Sequence, residues 1–353
     1  MEDKPLQLIP HSQPLLGEAE IKKASAVIAS GRISQGRVVS EFETLFADCI
    51  GVRHAVAVSS GTAALHLTLA AMGINVGDQV IVPSYVCCAL LNAVAYVGAQ
   101  AVLADIDPES FNIDVTDVKK RITDRTRVII VPHMFGRAAD LKALLDLEVP
   151  IIEDCAQATG AMVGGKVLGT FGQAAIFSFY ATKVMTTGEG GMVVTASDRL
   201  YRQLLDLREY DHKDAYRVRF NYKMTDLQAA VGICQLERLA DFIHRRRELA
   251  ARYRQALSGL PIQLPEAGGG HIFFRYVIDT GQEVTPLIEA LRRRGITGAR
   301  PVYKPLHHYL NQPGYPGAER AWQAALSIPL YPALSDHAAD VVCSALIDCF
   351  EGE

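Results

Sequence analysis

The first segment that could do chemistry is residues 59–65, which read SSGTAAL and follow a short apolar run. Gly61 permits a tight turn with close backbone approach. The segment opens a helical pattern, and the first amides of a helix lack internal partners and attract anions. Thr62 adds a hydroxyl group. These residues predict a phosphate site, although an ordinary helix cap uses the same residue types.

A second segment places two acids, Glu153 and Asp154, at the end of another apolar run. Ligands of open α/β sheets bind beyond the carboxyl ends of the strands. A carboxylate at that position could keep a pyridine nitrogen protonated. Gln157 follows three residues later and could reach a ring oxygen. Taken alone, the segment is also explained by an aspartate that caps a helix.

The third feature is Lys183, which follows the apolar and aromatic segment 177–182 and precedes the glycine-rich segment 187–191. Apolar surroundings lower the pKa of a lysine, and the neutral amine can then attack a carbonyl carbon. A lysine at a strand end can instead extend its charge into solvent.

The three features occur in order on one predicted sheet. Pyridoxal phosphate (PLP) requires an anion site, an acid for its ring nitrogen and a lysine that forms a Schiff base. The coincidence of all three is less probable than any one alone. We therefore expect a PLP enzyme with Lys183 and Asp154 as its catalytic residues.

The composition argues against other classes of function. The chain has 353 residues, 49% of them hydrophobic and 21% charged, with a formal net charge of -4. This is typical of a soluble globular protein that binds neither nucleic acid nor anionic lipid. No apolar run is long enough for a membrane span. Seven scattered cysteines without a CxxC pair predict no metal site, and together with a polar N-terminus they favour the cytoplasm.

The pattern of elements predicts an α/β fold. Apolar runs that predict strands lie at residues 54–59, 79–82, 101–104, 128–131, 150–153, 174–178 and 191–195. Helical patterns alternate with them at 63–72, 89–97, 115–122 and 140–147. Such alternation favours a mostly parallel, mixed sheet between helices. We predict a large PLP-binding domain over residues 12–240 and a smaller α+β domain over 241–353.

The pattern changes after about residue 224, where residues 225–257 predict one long helix or two in tandem, and the boundary of the smaller domain falls inside this stretch. A strand at 273–278, a helix at 284–294 and a closing helix at 335–350 follow.

Nearly the whole sequence resembles the DegT/DnrJ/EryC1/StrS family of PLP-dependent sugar aminotransferases, which has the aspartate-aminotransferase fold. The matching segments include the three described above. The others are 31–36 (GRISQG), 77–83 (GDQVIVP), 131–136 (VPHMFG), 188–191 (GEGG), 221–230 (NYKMTDLQAA), 303–307 (YKPLH) and 327–332 (SIPLYP).

The resemblance implies roles around the cofactor. Lys183 would form the internal aldimine and shuttle a proton, while Asp154 would pair with the pyridinium and Gln157 would lie near the ring hydroxyl. The expected phosphate ligands are Gly61, Thr62, Ser178 and, from the neighbouring subunit, Asn221. A shared site of this kind implies a homodimer.

The resemblance also implies the substrates. An amino group would move from L-glutamate to a nucleotide-linked keto-sugar. Ser34, Tyr303 and His307 would lie near the sugar. A related branch of the family aminates carbocyclic ketones, which stays open as an alternative.

Two further relatives in the family mark other possibilities. Sugar dehydratases of this fold have histidine in place of the lysine, so Lys183 argues against that activity. A non-catalytic regulator is the other alternative, but no helix-turn-helix pattern or basic stripe supports DNA binding.

One position departs from the family. An aromatic ring commonly stacks on the PLP face, and counting from the proline of segment 77–83 places Cys87 there. Either Cys87 packs on the ring as a polarizable group, or Tyr85 replaces it.

Overall fold

The computed structural model describes residues 8–352. Its strands are β1 His54–Val58, β2 Gln79–Pro83, β3 Gln100–Ala104, β4 Thr126–Pro132, β5 Ile151–Asp154, β6 Met162–Val163, β7 Lys166–Val167, β8 Ala174–Ser178, β9 Gly191–Thr195, β10 Tyr276–Asp279 and β11 Ala325–Ile328. Its helices are α1 Glu18–Ser30, α2 Arg37–Ile50, α3 Gly61–Ala71, α4 Ala89–Tyr96, α5 Val115–Arg121, α6 Leu141–Leu145, α7 Asp198–Arg208, α8 Asp226–Glu237, α9 Leu239–Leu257, α10 Thr285–Arg293, α11 Leu306–Leu310, α12 Pro316–Ala324 and α13 Asp336–Glu351.

A mixed sheet forms the centre of the larger part, with strand order β1-β9-β8-β5-β4-β2-β3. Strand β9 runs antiparallel to both of its neighbours, and the other strands are parallel to one another. The seven strands predicted within residues 54–195 are confirmed, and together they make up this sheet. Their apolar, β-branched sequences suit strands that are covered on both faces.

Helices cover both faces of the sheet. One core cluster joins Val80 and Val82 of β2 to α3, α4 and α7. The other cluster joins Ile81 of the same strand to α2, α6 and α8. Successive strand residues point to opposite faces, so one apolar strand supplies both cores.

The C-terminal part has a core cluster of its own, which includes Leu249, Tyr276, Leu326 and Leu346. Strands β10 and β11 pair antiparallel there. The predicted domain boundary after residue 240 falls inside α9. Ile243 of that helix packs in a core of the large sheet, whereas Leu249 packs in the C-terminal cluster. The boundary therefore stays a prediction.

The remaining differences from the predicted elements are local. The tandem alternative holds for residues 225–257, because α8 ends at Glu237 and α9 starts at Leu239. The predicted strand at 273–278 begins later, at Tyr276. Strands β6, β7 and β11 were not predicted. Within residues 8–352, none of the helices combines the length and apolar character needed to span a bilayer.

Candidate active site

The carboxyl ends of the parallel strands bring several predicted residues to one edge of the sheet. Asp154 ends β5, and Ser178 ends β8. Gly61 begins α3 just beyond β1, and Cys87 follows β2. Since these strands run in the same direction, their ends and the segments that follow lie on the same side. This is the side on which open α/β sheets bind ligands.

The first residue of β9, Gly191, lies close to two of these segments. Gly191 is paired with both Val58 and Ser178, so it lies between the ends of β1 and β8. A Cβ atom on Gly191 would lie 2.4 Å from the Ser60 carbonyl oxygen, and one on Gly61 would lie 2.9 Å from the Ser178 Cβ. Only glycine fits at either position. The close approach creates a narrow backbone cradle lined by the Ser178 hydroxyl.

The start of α3 gives this cradle its affinity for anions. The Ser60 Oγ accepts a hydrogen bond from the Ala63 amide at 3.1 Å and so caps the helix. The amides of Gly61 and Thr62 have no carbonyl acceptor within the helix, as is usual for its first turn. The helix dipole favours negative charge at the same place. A phosphate group therefore fits the cradle.

Asp154 is buried at the end of β5, with 6% of its surface exposed. Its Oδ1 accepts a hydrogen bond from the Ala156 amide at 3.0 Å. Its Oδ2 accepts no hydrogen bond from any residue in 8–352. Burial raises the pKa of Asp154, and the Ala156 amide and the charges of Lys183 and His133 offset part of that rise. A protonated ring nitrogen would supply the partner that Oδ2 lacks.

Glu153, next to Asp154 in β5, is bound within the protein. Its carboxylate accepts hydrogen bonds from the amides of Gly169, Phe171 and Gly172 at 2.7–2.8 Å. The His133 Nε2 lies 3.2 Å from Glu153 Oε2, and both side chains are fully buried.

The histidine has a defined tautomer, because the His133 Nδ1 accepts a hydrogen bond from the Ala139 amide at 3.1 Å. The proton is therefore on Nε2 and is donated to Glu153. Burial alone would raise the pKa of Glu153, but the bonds from His133, Gly169 and Gly172 outweigh it and lower the pKa. Glu153 fixes the strand end, and Asp154 is left to face a ligand.

Lys183 is partly buried beside an aromatic ring. Its Nζ lies 5.4 Å from the centroid of the Phe274 ring and has no hydrogen-bond acceptor within residues 8–352. Burial lowers the pKa of Lys183, and the charge of Arg275 lowers it further, while Cys87 and Asp154 act in the opposite direction. A depressed pKa favours the neutral, nucleophilic amine.

Cys87 and Tyr85, the two alternatives for packing on the ring, lie in different environments. Cys87 is partly open to solvent. The protein atoms around its thiol desolvate it and so raise its pKa. The charges of Lys183 and Asp154 act on that thiol. Tyr85 is fully buried and donates a hydrogen bond to the Ala321 carbonyl at 3.3 Å. The geometry thus favours Cys87.

Gln157 has a partner on one side of its amide. Its Oε1 accepts a hydrogen bond from the Phe135 amide at 3.0 Å. The amide NH₂ group keeps its donors for a ligand oxygen.

The predicted substrate residues Ser34, Tyr303 and His307 and the predicted phosphate ligand Asn221 differ in their exposure. His307 is buried, with its Nδ1 2.6 Å from the Ser84 Oγ at the end of β2, on the edge that carries the site. Tyr303 is 87% exposed, and Ser34 and Asn221 are also exposed. Within residues 8–352, no hydrogen bond connects these three side chains with Lys183.

The prediction that the chain has no metal site stays a prediction. His307, His308 and Glu319 each offer a ligand atom, and these atoms lie within 4.8 Å of one another. Both histidines already contact the Glu319 Oε2, at 3.3 and 2.7 Å.

Three residues beside the site carry no predicted role: His133, Phe274 and Arg275. His133 lies in a segment that matches the family, but a buried histidine looks no different in sequence from an exposed one. Arg275 offered a clearer signal, because it is a charged residue in the otherwise apolar segment 272–278. A charged side chain is rarely buried unless a partner or a ligand offsets the cost of desolvation.

The anion cradle, the buried acid and the lysine lie in an α/β protein, and comparisons with known proteins show which family this protein belongs to. The chain matches the DegT/DnrJ/EryC1/StrS aminotransferase family over residues 14–347. It is 36% identical over 365 residues to the GDP-perosamine synthase of Vibrio cholerae, with 97% of this chain and 99% of that protein covered. It is 38% identical over 335 residues to the GDP-perosamine synthase of Caulobacter vibrioides, with 89% and 90% covered.

A solved structure gives the same answer. The aminotransferase TlmJ from Streptoalloteichus hindustanus matches with a TM-score of 0.91 and 33% identity, covering 96% of this chain and 98% of that one. The chain belongs to the DegT/DnrJ/EryC1/StrS aminotransferase family, which confirms the resemblance and the α/β fold predicted from the sequence. It is an enzyme, and its family implies dependence on PLP.

Replacing Glu153 by alanine is expected to lower the free energy of unfolding by about 3–5 kcal/mol near neutral pH, because buried amides and His133 lose their acceptor. Urea unfolding measures the change. The exposed Glu237 provides the control, and Glu237→Ala should leave stability nearly unchanged.

The decrease in the free energy of unfolding caused by Glu153→Ala should depend on pH. The pKa of Glu153 is lowered in the folded chain, so its stabilising effect is complete above the unfolded-state pKa. The effect disappears as the pH falls through the folded-state pKa. A Glu153→Ala variant as stable as the wild type near neutral pH would contradict this role.

Proposed function

We propose that the chain is a PLP-dependent aminotransferase that moves an amino group from L-glutamate to a nucleotide-linked keto-sugar. One observation carries the cofactor part: an amine without a hydrogen-bond acceptor lies at the same sheet edge as an anion cradle and a buried aspartate with one oxygen that accepts no hydrogen bond. Each group matches one part of PLP, namely the aldehyde, the phosphate and the ring nitrogen.

The residues of this chain would divide the work as follows. Lys183 would hold the aldehyde carbon through its Nζ and, once released, move a proton at the reacting carbon of the substrate. Asp154 would keep a proton on the ring nitrogen through Oδ2. When bound, PLP supplies an electron sink for the reaction.

Other residues would hold and orient the cofactor. The amides of Gly61 and Thr62 and the hydroxyl of Ser178 would bind its phosphate. The Gln157 amide would face the ring hydroxyl, and Cys87 would pack on a ring face.

The sugar part of the proposal is supported by relatives and by one side chain. Two relatives over 35% identical are named GDP-perosamine synthases. His307 is buried, which lowers its pKa, and its two ring nitrogens contact Ser84 and Glu319. Together with Lys304, it lines a cavity of about 770 Å³. We place Ser34, Tyr303 and His307 near the sugar.

We further propose a homodimer in which Asn221 reaches the phosphate in the neighbouring subunit. Asn221 is exposed, and no residue in 8–352 bonds its side chain. The preceding segment exposes large apolar side chains, with Tyr216 97% and Val218 64% exposed. Exposed apolar surface of this kind is typical of interfaces between subunits.

A screen of nucleotide keto-sugars with L-glutamate tests the overall proposal. We expect at least one of them to release 2-oxoglutarate, which a coupled assay measures. Turnover with carbocyclic ketones alone would refute the sugar part and leave the cofactor part intact.

The same assay tests the lysine. Lys183→Ala should lower turnover by about 1,000-fold or more, because no amine remains to hold the cofactor. Borohydride should fix the cofactor to Lys183 in the wild type, as located by peptide mass spectrometry. Lys166→Ala, at an exposed hairpin lysine, should retain both properties. Substantial turnover by Lys183→Ala would disprove the assignment.

Asp154→Asn should lower the rate by about 100-fold or more, because a neutral amide no longer stabilises the ring proton. Steady-state kinetics measure the effect. Asp140 caps α6 at the surface, and Asp140→Asn is the matched control because asparagine caps equally well. Full activity of Asp154→Asn would rule out the proposed pairing.

Mixed dimers test whether sites are shared. Asn221→Ala and Lys183→Ala should each be impaired alone, but a hybrid dimer contains one site with both residues intact. Mixing and refolding the two variants should therefore restore activity. Activity no higher than the sum of the separate variants would mean that Asn221 serves its own subunit or none.

A further inference from the structure

We propose that Arg275 binds a carboxylate of the amino donor. This inference rests on the proposed function, in which an amino acid supplies the nitrogen. It assigns the donor side of the reaction to a residue that lies far from Asp154 and the anion cradle in the sequence.

Arg275 and Lys183 share one aromatic neighbour. The Arg275 guanidinium carbon lies 5.0 Å from the centroid of the Phe274 ring, and the Lys183 Nζ lies 5.4 Å from the same centroid. The guanidinium and the amine that would hold the cofactor therefore pack against the same ring.

The charge of Arg275 has no counterion in the described chain. No carboxylate within residues 8–352 forms an ion pair with it, and its Nε and Nη2 contact no acceptor there. Burial lowers the pKa of Arg275 to about 10, so it stays protonated near pH 7. A largely buried cation without a counterion is costly, and an anionic ligand would remove that cost.

A second buried guanidinium strengthens the positive field. The Arg246 Nη1 donates to the carbonyls of Phe274 and Leu330, both at 3.0 Å. It too forms no ion pair within residues 8–352. The Arg246 Nε is buried without a hydrogen-bond partner within residues 8–352, so neither guanidinium has all of its donors satisfied.

His11 fixes the direction of Arg275. The Arg275 Nη1 donates to the His11 Nδ1 at 2.7 Å, and the His11 Nε2 lies 2.8 Å from the Ser327 Oγ. Burial and the charge of Arg275 lower the pKa of His11 to about 3, so the ring is neutral. The same Nη1 also lies 3.1 Å from the His11 Nε2, so both ring nitrogens contact this end of the guanidinium. One guanidinium nitrogen is thus held, and the rest of the group is free to bind.

The position of the Arg275 charge indicates which ligand it would bind. Arg275 acts on the pKa of Lys183, whereas the charges that act on the pKa of Asp154 are those of Lys183 and His133. Arg275 is therefore close enough to the amine to act on its charge. An amino acid carries a carboxylate close to its reacting nitrogen, and a guanidinium binds carboxylates through two parallel hydrogen bonds. The phosphates of a sugar nucleotide lie beyond the sugar ring.

Measuring the two half-reactions separately tests the proposal. In Arg275→Met, the L-glutamate concentration for half-maximal conversion of the PLP form should rise about 10- to 100-fold, as expected for lost hydrogen bonds to a charge. The half-reaction with the keto-sugar should change less than about twofold. Stopped-flow absorbance of the cofactor follows both.

A binding measurement provides a second readout. Calorimetry should show glutarate, a dicarboxylate without an amino group, binding the cofactor-loaded wild type and binding Arg275→Met at least about 10-fold more weakly. Arg275→Lys, which keeps the charge, should fall between them and replaces the methionine variant if that variant does not fold. Arg247→Met is the control, because that guanidinium donates to the His271 and Gly270 carbonyls.

The outcomes separate this inference from the proposed function. A defect confined to the keto-sugar half-reaction would assign Arg275 to phosphate and overturn the inference. Unchanged glutamate dependence and glutarate binding in both Arg275 variants would also overturn it. If the wild type converts no amino acid at all, the proposed function fails, while glutarate binding still decides whether Arg275 holds a carboxylate.

Discussion

The buried carboxylate of Glu153 is the interaction on which the arrangement of the site depends. Adjacent residues of a strand point to opposite faces, so a bond that fixes Glu153 on one side also fixes Asp154 on the other. Backbone amides from the segment between β7 and β8 and the imidazole of His133 meet at Glu153. One acid is thus used for the fold, and its neighbour is left for chemistry.

The site brings together polar groups that have no hydrogen-bond partner for some of their atoms in the described part of the chain. Within residues 8–352, no hydrogen-bond partner contacts the Asp154 Oδ2, the Lys183 Nζ, or the Nε and Nη2 of Arg275. Unpaired polar groups destabilise a folded chain, so their concentration in one region is evidence for ligands. A cofactor and a carboxylate would satisfy all three, and binding would stabilise the folded state.

Much of the fold could be predicted because its signals are local. The strands of the central sheet are short, apolar and rich in valine and isoleucine, and each was found within two residues of its observed ends. Strand β11 was missed because it has only four residues and follows directly on α12, so no separate pattern marks it. Local patterns also marked Gly61, Asp154 and Lys183, since each follows a predicted strand. The importance of Arg275 depends on contacts with His11 and Phe274, and no short pattern contains all three.

The contact between His11 and Arg275 spans 264 positions of the chain. His11 leaves the ribosome early but has no partner until Arg275 and Ser327 have been synthesised. The strands of the central sheet all precede residue 196, but helix α8 and Ile272 also pack in one of its cores. The positively charged corner beside Lys183 is therefore completed late in biosynthesis, when the newest part of the polypeptide meets the oldest.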